Sequence, residues 1–217
     1  MRYPVPAASI DHPHVATLEV QKSRFIGWCA SVDDAEQAQQ LLTRARRRYP
    51  DASHHCSAFI AGAPGEDQAI GFADDGEPGG TAGRPMYQVL HGSGIGRIAC
   101  VVIRYFGGIK LGTGGLARAY GQTVSEMLAT LPRRQYIPRA RRSLALTFAD
   151  EQPARAWLAA HDGTIVDAAY HARGVTLAVD WPLDAGVELA ELNTRLEGRI
   201  RIVGDDMHRP MSDGEAS

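Results

Sequence analysis

The sequence predicts an α+β protein built from two domains. Its 217 residues exceed one average domain and fall short of two, which fits two small domains. Segments with the two-residue period of strands interleave with segments of helical period. The basic run RRQYIPRARR follows a helix stop at Pro132 and is typical of a linker. These observations divide the chain into a flexible start at 1–14, a first domain at 15–132, a linker at 133–142, a second domain at 143–204 and a mobile tail at 205–217.

The first domain opens with two strands and a helix. Apolar residues between Val15 and Cys29 alternate enough to predict two short strands joined by a turn near Gln21–Ser23. Asp33 is a suitable N-cap for a helix that runs to Arg48, because apolar residues recur at helical spacing and Pro50 follows.

The rest of the first domain is dominated by one strand and one helix. The apolar run IACVVIRYF at 98–106 predicts a strand buried on both faces. The helix from Leu116 to Leu131 is the clearest element of the chain, because eight apolar or small residues keep helical spacing. Shorter elements are expected as strands at 54–61 and 70–73 and a helix near 81–91.

The second domain follows a recognisable element order. Its pattern predicts strands at 144–148, 164–170, 175–181 and 199–203, with helices at 153–160 and 184–196. Strand, helix, strand, strand, helix, strand is the ferredoxin-like order.

Composition excludes several classes of protein. With 44% hydrophobic and 22% charged residues, the chain is an ordinary globular protein. No apolar run approaches the roughly 18 residues that span a bilayer, and the start lacks the apolar core of a signal peptide, so we expect a cytoplasmic protein without a membrane partner. Three widely spaced cysteines without a C-x-x-C pair indicate neither a disulfide framework nor a cysteine-based zinc site.

Charge is divided unevenly along the chain. Residues 1–142 carry 17 Lys and Arg against 12 Asp and Glu, whereas residues 143–217 carry 6 against 13. The first part is therefore the one expected to meet a polyanion.

The first motif, GFADDGEPGGTAGRPM at 71–86, contains three carboxylates and leads into a helix. Asp74, Asp75 and Glu77 are oxygen ligands of the kind that magnesium prefers. Free N–H groups at a glycine-rich helix start would instead suit an anion. A third interpretation is that these residues only build turns and cap the helix.

The second motif, RYFGGIKLGTGGLARAYG at 104–121, has the strand, glycine loop and helix of a phosphate cradle. Arg104, Lys110 and Arg118 place positive charge around the loop. The motif matches neither the Walker spacing nor G-x-G-x-x-G, so it identifies no nucleotide class. The alternative is that its glycines allow a helix to pack tightly on the sheet.

The third motif, DASHHCSAF at 51–59, suggests a metal or nucleophile site at His54, His55 and Cys56. In a strand, His54 and Cys56 face one side and His55 the other, so the three do not share one ion without a bulge. Structural or hydrogen-bonding roles are favoured over catalysis or metal binding.

Together with KSRFIG at 22–27, these motifs resemble the YigZ and Impact family over most of residues 15–131. The resemblance implies a first domain like the second domain of small-subunit ribosomal protein five, also seen in domain four of elongation factor G and in galactokinase-type enzymes. It implies a second domain like domain five of the same factor. The eukaryotic Impact proteins are translation regulators with an additional partner-binding domain, for which the residues before the motifs leave no room.

Two functions remain open, beside a weaker third, a protein-binding adaptor with an acidic C-terminal face. The first is a non-enzymatic translation regulator that binds the ribosome, RNA or a translation factor, without a cofactor, through the first domain, with Arg44–Arg48 and the linker arginines on phosphates. The second is an enzyme or switch that binds a nucleotide or phosphate ligand, with magnesium on Asp74, Asp75 and Glu77. No catalytic residue is assigned. The resemblance makes the motif residues the candidate binding surface: His54, His55, Cys56, Asp74, Asp75, Gly76, Glu77, Gly80, Thr81, Ala82, Gly83, Arg104, Tyr105, Gly107, Gly108, Lys110, Gly112, Gly114, Gly115 and Arg118.

Overall fold

In the computed structural model, which describes residues 2–65 and 69–203, the chain divides into two units. The first comprises Tyr3–Tyr136, and the second comprises the residues from Ile137 onward together with Arg2. The predicted mobile tail lies outside the described residues. Within the described ranges, no helix is long and apolar enough to cross a membrane.

The first unit is an antiparallel sheet covered by helices on both faces. Its elements are β1 (Tyr3–Pro6), β2 (His14–Val20), β3 (Ser23–Ser31), α1 (Ala35–Arg48), β4 (His54–Ile60), β5 (Ile70–Ala73), α2 (Gly83–Gly92), β6 (Ile98–Tyr105), α3 (Gly112–Thr130) and β7 (Arg133–Tyr136). The main sheet has the strand order β2-β3-β6-β4-β5, with every pair antiparallel. α1 packs on one face, and α2 and α3 pack on the other. The central strand β6 is therefore buried on both faces, as its apolar run predicts.

The structure differs from the predicted flexible start and linker at two segments, β1 and β7, which form strands. These two strands pair in an antiparallel sheet with Tyr3 opposite Tyr136 and Pro6 opposite Arg133. The rings of Tyr3 and Tyr136 lie 5.1 Å apart, and Val5 is fully buried. The sequence pattern does not predict these strands, because β1 contains two prolines and β7 two arginines in place of alternating apolar residues. Proline is tolerated at the edge of a sheet, but in a sequence it argues against a strand.

Two further boundaries in the first unit differ from the prediction. Asp34, not Asp33, caps α1 by accepting a hydrogen bond from the Gln37 N–H at 2.8 Å, while Asp33 pairs with Arg97. α3 begins at Gly112, four residues before the predicted start, because glycines are acceptable in a first turn whose N–H groups need no partner within the helix.

The second unit has the predicted ferredoxin-like fold. Its elements are β8 (Arg139–Leu146), α4 (Phe148–Ala160), β9 (Thr164–His171), β10 (Gly174–Pro182), α5 (Leu189–Arg195) and β11 (Arg201–Val203). The strand order is β11-β8-β10-β9 and all pairs are antiparallel. β8 starts inside the predicted linker, where Arg141 lies opposite Asp180 and forms an ion pair with it.

This boundary changes the charge division. Residues 3–136 carry 13 Lys and Arg against 12 Asp and Glu, because Arg2 and three linker arginines belong to the second unit. Positive charge in the first unit is thus a local property of particular surfaces.

Candidate functional site

Asp74 belongs to the acidic loop, residues 74–83, and its carboxylate occupies the start of α2. It accepts hydrogen bonds from the N–H groups of Gly80 at 2.7 Å, Ala82 at 3.0 Å and Gly83 at 2.8 Å. Burial acts to raise the pKa of Asp74, but these three hydrogen bonds outweigh it and hold the pKa below its usual value. The N–H groups that the sequence predicted as an anion site are therefore bound by the carboxylate of Asp74.

Asp75 ties the acidic loop to β4 and α1. Its carboxylate accepts the His55 N–H at 2.6 Å and a hydrogen bond from Arg46 at 2.7 Å. Its carbonyl lies 2.8 Å from Nδ1 of His54. The turn needs left-handed backbone at Asp75 and Gly76, with φ of +46° and +85°.

Glu77 is the centre of a buried polar cluster. Its Oε1 accepts hydrogen bonds from Arg104 Nη1 at 2.6 Å and from the Tyr120 hydroxyl at 2.8 Å. Glu77 and Arg104 are only 8% and 5% exposed. The His54 ring lies close by, with Nε2 at 3.9 Å from the same oxygen. A buried carboxylate and a buried guanidinium form an ion pair here, as buried charges require, although Nε of Arg104 has no hydrogen-bond partner among the described residues.

Cys56 completes this cluster from β4. Its sulfur lies 2.9 Å from the Asp74 carbonyl oxygen and 3.3 Å from the Tyr120 hydroxyl. Burial, with the nearby carboxylates in support, raises the pKa of Cys56 to about 12, so the group is a thiol at neutral pH. A thiol is a poor nucleophile compared with a thiolate.

His55 points to the opposite face of the sheet, as strand alternation predicts. Its Nε2 donates to the Tyr49 carbonyl at 3.0 Å, beyond the end of α1. Desolvation lowers the pKa of His55, which keeps the ring neutral at pH 7. Among the described residues, no three His, Cys, Asp or Glu side chains converge on one metal position.

The glycine loop, residues 106–115, is shaped by close backbone contact. A Cβ on Gly107 would lie 2.1 Å from the Lys22 carbonyl carbon, so only glycine fits against the β2–β3 turn. Gly108 and Gly112 have φ of +83° and +70°. The loop therefore has one backbone path that other residues would strain.

The side chains at the tip of the glycine loop, residues 106–110, face solvent. Phe106 is 51% exposed and Ile109 43% exposed, and Lys110 is exposed beside them. The Phe106 ring lies 5.6 Å from the Arg104 guanidinium carbon, which links the loop to the buried cluster. α3 then starts without a side-chain cap. An apolar and cationic tip is thus presented on a fixed backbone.

The other candidate residues have mainly structural surroundings. Gly80 has φ of +76°, and the Thr81 hydroxyl donates to the Pro78 carbonyl at 2.7 Å. Tyr105 lies on the α1 face, where its hydroxyl donates to Asp51 at 2.8 Å. Arg118 lines a shallow groove of about 390 Å³ between α2 and α3. Gly114 and Gly115 lie in the first turn of α3.

The structure brings His54, Cys56, Glu77 and Arg104 together and leaves Lys110 and Arg118 outside the cluster. Sequence analysis missed Tyr120, which donates a hydrogen bond to Glu77, and it assigned Arg46 to phosphate contacts, whereas Arg46 binds Asp75. The sequence places Tyr120 on the apolar face of α3. A tyrosine buried there needs a hydrogen-bond partner for its hydroxyl, and this requirement is the signal that could have identified it.

Comparison with known proteins shows that the chain matches one protein family over the region that contains these residues. The Impact N-terminal domain matches residues 21–128. The chain is 42% identical over 192 residues to the IMPACT family member YigZ of Escherichia coli, covering 88% of this chain and 90% of that protein. It is 46% identical over 126 residues to an IMPACT family member of Haemophilus influenzae, covering 58% and 59% of the two chains.

The fold has a counterpart among solved structures. A crystal structure described as that of a hypothetical protein matches with a TM-score of 0.70 and 39% identity. The match covers 95% of this chain and 98% of the other, so it includes both units.

Proposed function

We propose that this chain, which belongs to the IMPACT family, is a non-enzymatic regulator of translation in the cytoplasm whose first unit binds the ribosome, either its RNA or a factor on it. The observation that carries the proposal is the exposed tip of the glycine loop, with Phe106, Ile109 and Lys110. These side chains belong to the family motifs and are exposed, so a partner can reach them.

The buried cluster supports a binding function over a catalytic one. The Cys56 thiol stays protonated at neutral pH, and Glu77 is held between Arg104 and Tyr120. A general base or nucleophile must reach a substrate, and these groups instead complete one another.

A partner surface of this kind has a physical rationale. Exposed aromatic and aliphatic side chains lose water on contact, and a neighbouring lysine attracts phosphate or acidic side chains. Because the backbone is already fixed by Gly107, little conformational entropy is lost on binding.

The test is co-sedimentation of the full chain with ribosomes at low and moderate salt. The double variant F106A/K110Q should reduce the bound fraction, whereas F148A/R84Q, which removes a similarly exposed phenylalanine and one exposed cation elsewhere, should not. Equal loss in both variants, or no migration of the wild-type chain with ribosomes at low salt, would contradict the proposal.

A second candidate function is binding of a nucleotide phosphate at the start of α3. The observation that favours it is that this helix start has no side-chain cap and lies next to Lys110, unlike the start of α2. Millimolar nucleotide with magnesium should then raise the melting temperature, and K110A should abolish the rise. Magnesium would enter with the phosphates, since Asp74, Asp75 and Glu77 are engaged separately.

A further inference from the structure

A groove on the α1 face of the first unit is lined by positive charge and an apolar floor. Its volume is about 460 Å³, and it lies between the C-terminal half of α1 and strands β2 and β3. Arg44, Arg47 and Arg48 line it from α1, and Val15 and Trp28 line it from the strands. Val15 and Trp28 lie directly opposite each other in the β2–β3 register.

The arginines of this groove are only partly neutralised. Arg44 pairs with Asp11 at 2.7 Å. Arg46 is directed away to Asp75 in the acidic loop. In the part of the chain that the structure describes, Arg47 and Arg48 have no carboxylate within ion-pair distance, and Arg48 lies over the Tyr49 ring at 5.2 Å. The groove therefore keeps a net positive charge.

Trp28 carries a hydrogen-bond donor without an acceptor. The residue is 7% exposed, and its indole N–H has no partner among the described residues. A buried donor without a partner destabilises a fold. Because this nitrogen has almost no accessible surface, a ligand in the groove contacts the ring of Trp28 and does not reach its N–H.

The charge and shape together fit one kind of ligand. Arginine binds phosphate with paired N–H groups, and an apolar floor favours a planar base or a ribose. A groove of this volume is in the range that holds a small ligand, which corresponds to one nucleotide unit. In a duplex the bases are paired and turned inward, so an unpaired strand is the form that can place one here.

The positive surface continues along β3. Arg24 lies on the same face as Trp28, since both are at even positions of the strand, and its guanidinium lies 4.7 Å from the Tyr105 ring. Tyr105 leads directly into Phe106 of the glycine loop. A bound strand thus has a second cation and an aromatic ring beyond the groove.

We propose that this groove binds single-stranded RNA, with phosphates on Arg47 and Arg48 and a base against the apolar floor of Val15 and Trp28. The inference rests on the proposed function, which it deepens by naming a contact surface and its ligand.

The test measures binding of a labelled ten-nucleotide oligouridine to the full chain by fluorescence anisotropy across a salt series. R47Q/R48Q should weaken binding by about tenfold at low salt. It should also reduce the salt slope by about 0.7 for each lost phosphate contact. The matched control R84Q/R173Q removes two exposed arginines elsewhere and should leave both quantities unchanged.

The indole N–H gives a readout that general charge does not. In a protein labelled with nitrogen-15 tryptophan, the Trp28 signal, assigned with W28F, should shift on addition of oligouridine. The signals of Trp157 and Trp181, which stack on each other in the core of the second unit, should not. W28F itself, which keeps an aromatic ring but covers less of the groove floor, should weaken oligouridine binding severalfold at a temperature well below its own melting temperature.

Several outcomes would overturn the inference. They are an unmoved Trp28 signal while RNA binds, equal weakening in the control variant, or uridine monophosphate binding as tightly as the oligonucleotide, which would mean a small-molecule pocket. If the chain binds ribosomes, with or without R47Q/R48Q, but does not bind oligouridine, the groove inference is contradicted and the proposed function stands. If the wild-type chain does not bind ribosomes either, the proposed function is contradicted as well.

Discussion

The acidic loop and the glycine loop are both rich in glycine, yet the side chains of the first bind other groups of the protein and those of the second are exposed to solvent. The carboxylates of Asp74, Asp75 and Glu77 are each bound by donors of the protein. The side chains of Phe106, Ile109 and Lys110 face solvent. The acidic loop therefore stabilises the fold, whereas the glycine loop presents a surface. Substitutions in the acidic loop should lower stability, and substitutions at the tip of the glycine loop should weaken binding.

The largest expected effect is at Glu77. E77Q leaves Arg104 buried without a counter-charge, so it should lower the free energy of unfolding by about 3–5 kcal/mol, as measured by urea denaturation. E126Q is the matched control, because Glu126 is exposed on α3 and should change stability by less than about 0.5 kcal/mol. A loss below about 1 kcal/mol in E77Q would mean that the cluster is not the support of the fold that its burial indicates.

A second effect should appear where the glycine loop itself contributes to the fold. G107A introduces a Cβ 2.1 Å from the Lys22 carbonyl carbon, so the backbone must shift. We expect a loss of about 1–3 kcal/mol in the free energy of unfolding. G114A tests the same change at an open position, where the nearest atom is a flexible Arg118 nitrogen at 3.8 Å, and it should be neutral or stabilising. Equal losses would mean that the loop has no fixed path.

Asp74 should have a smaller, pH-dependent effect. D74A removes the acceptor of three N–H groups at α2 and should cost about 0.5–2 kcal/mol near pH 7. Because the folded-state pKa lies below the ordinary value, the stabilisation due to the charge is complete above the ordinary pKa of about 3.9 and is lost as pH falls through the folded value. The stability difference between wild type and D74N should therefore shrink in urea titrations below pH 4. A difference that is constant with pH would assign the effect to geometry instead of charge.

These cases show which features the sequence contains. The helical spacing in α3, the apolar run of β6 and the βαββαβ order of the second unit depend on local patterns, and each is confirmed. The β1–β7 pairing was missed because it joins prolines and arginines about 130 residues apart, and no local period marks such a contact. Motif composition likewise identified the residues of the buried cluster except Tyr120, but it did not reveal that the Asp74 carboxylate accepts hydrogen bonds at the start of α2.

The smallest effect on stability is expected at the tip of the glycine loop, where the comparison is sharpest. I109S/K110Q should change the free energy of unfolding by less than about 0.5 kcal/mol, because both side chains are exposed and solvent already surrounds them. The same variant should lose ribosome association in co-sedimentation. A loss of stability above about 1.5 kcal/mol would show that the tip also packs into the fold, and then its exposure would no longer single it out as a surface for a partner.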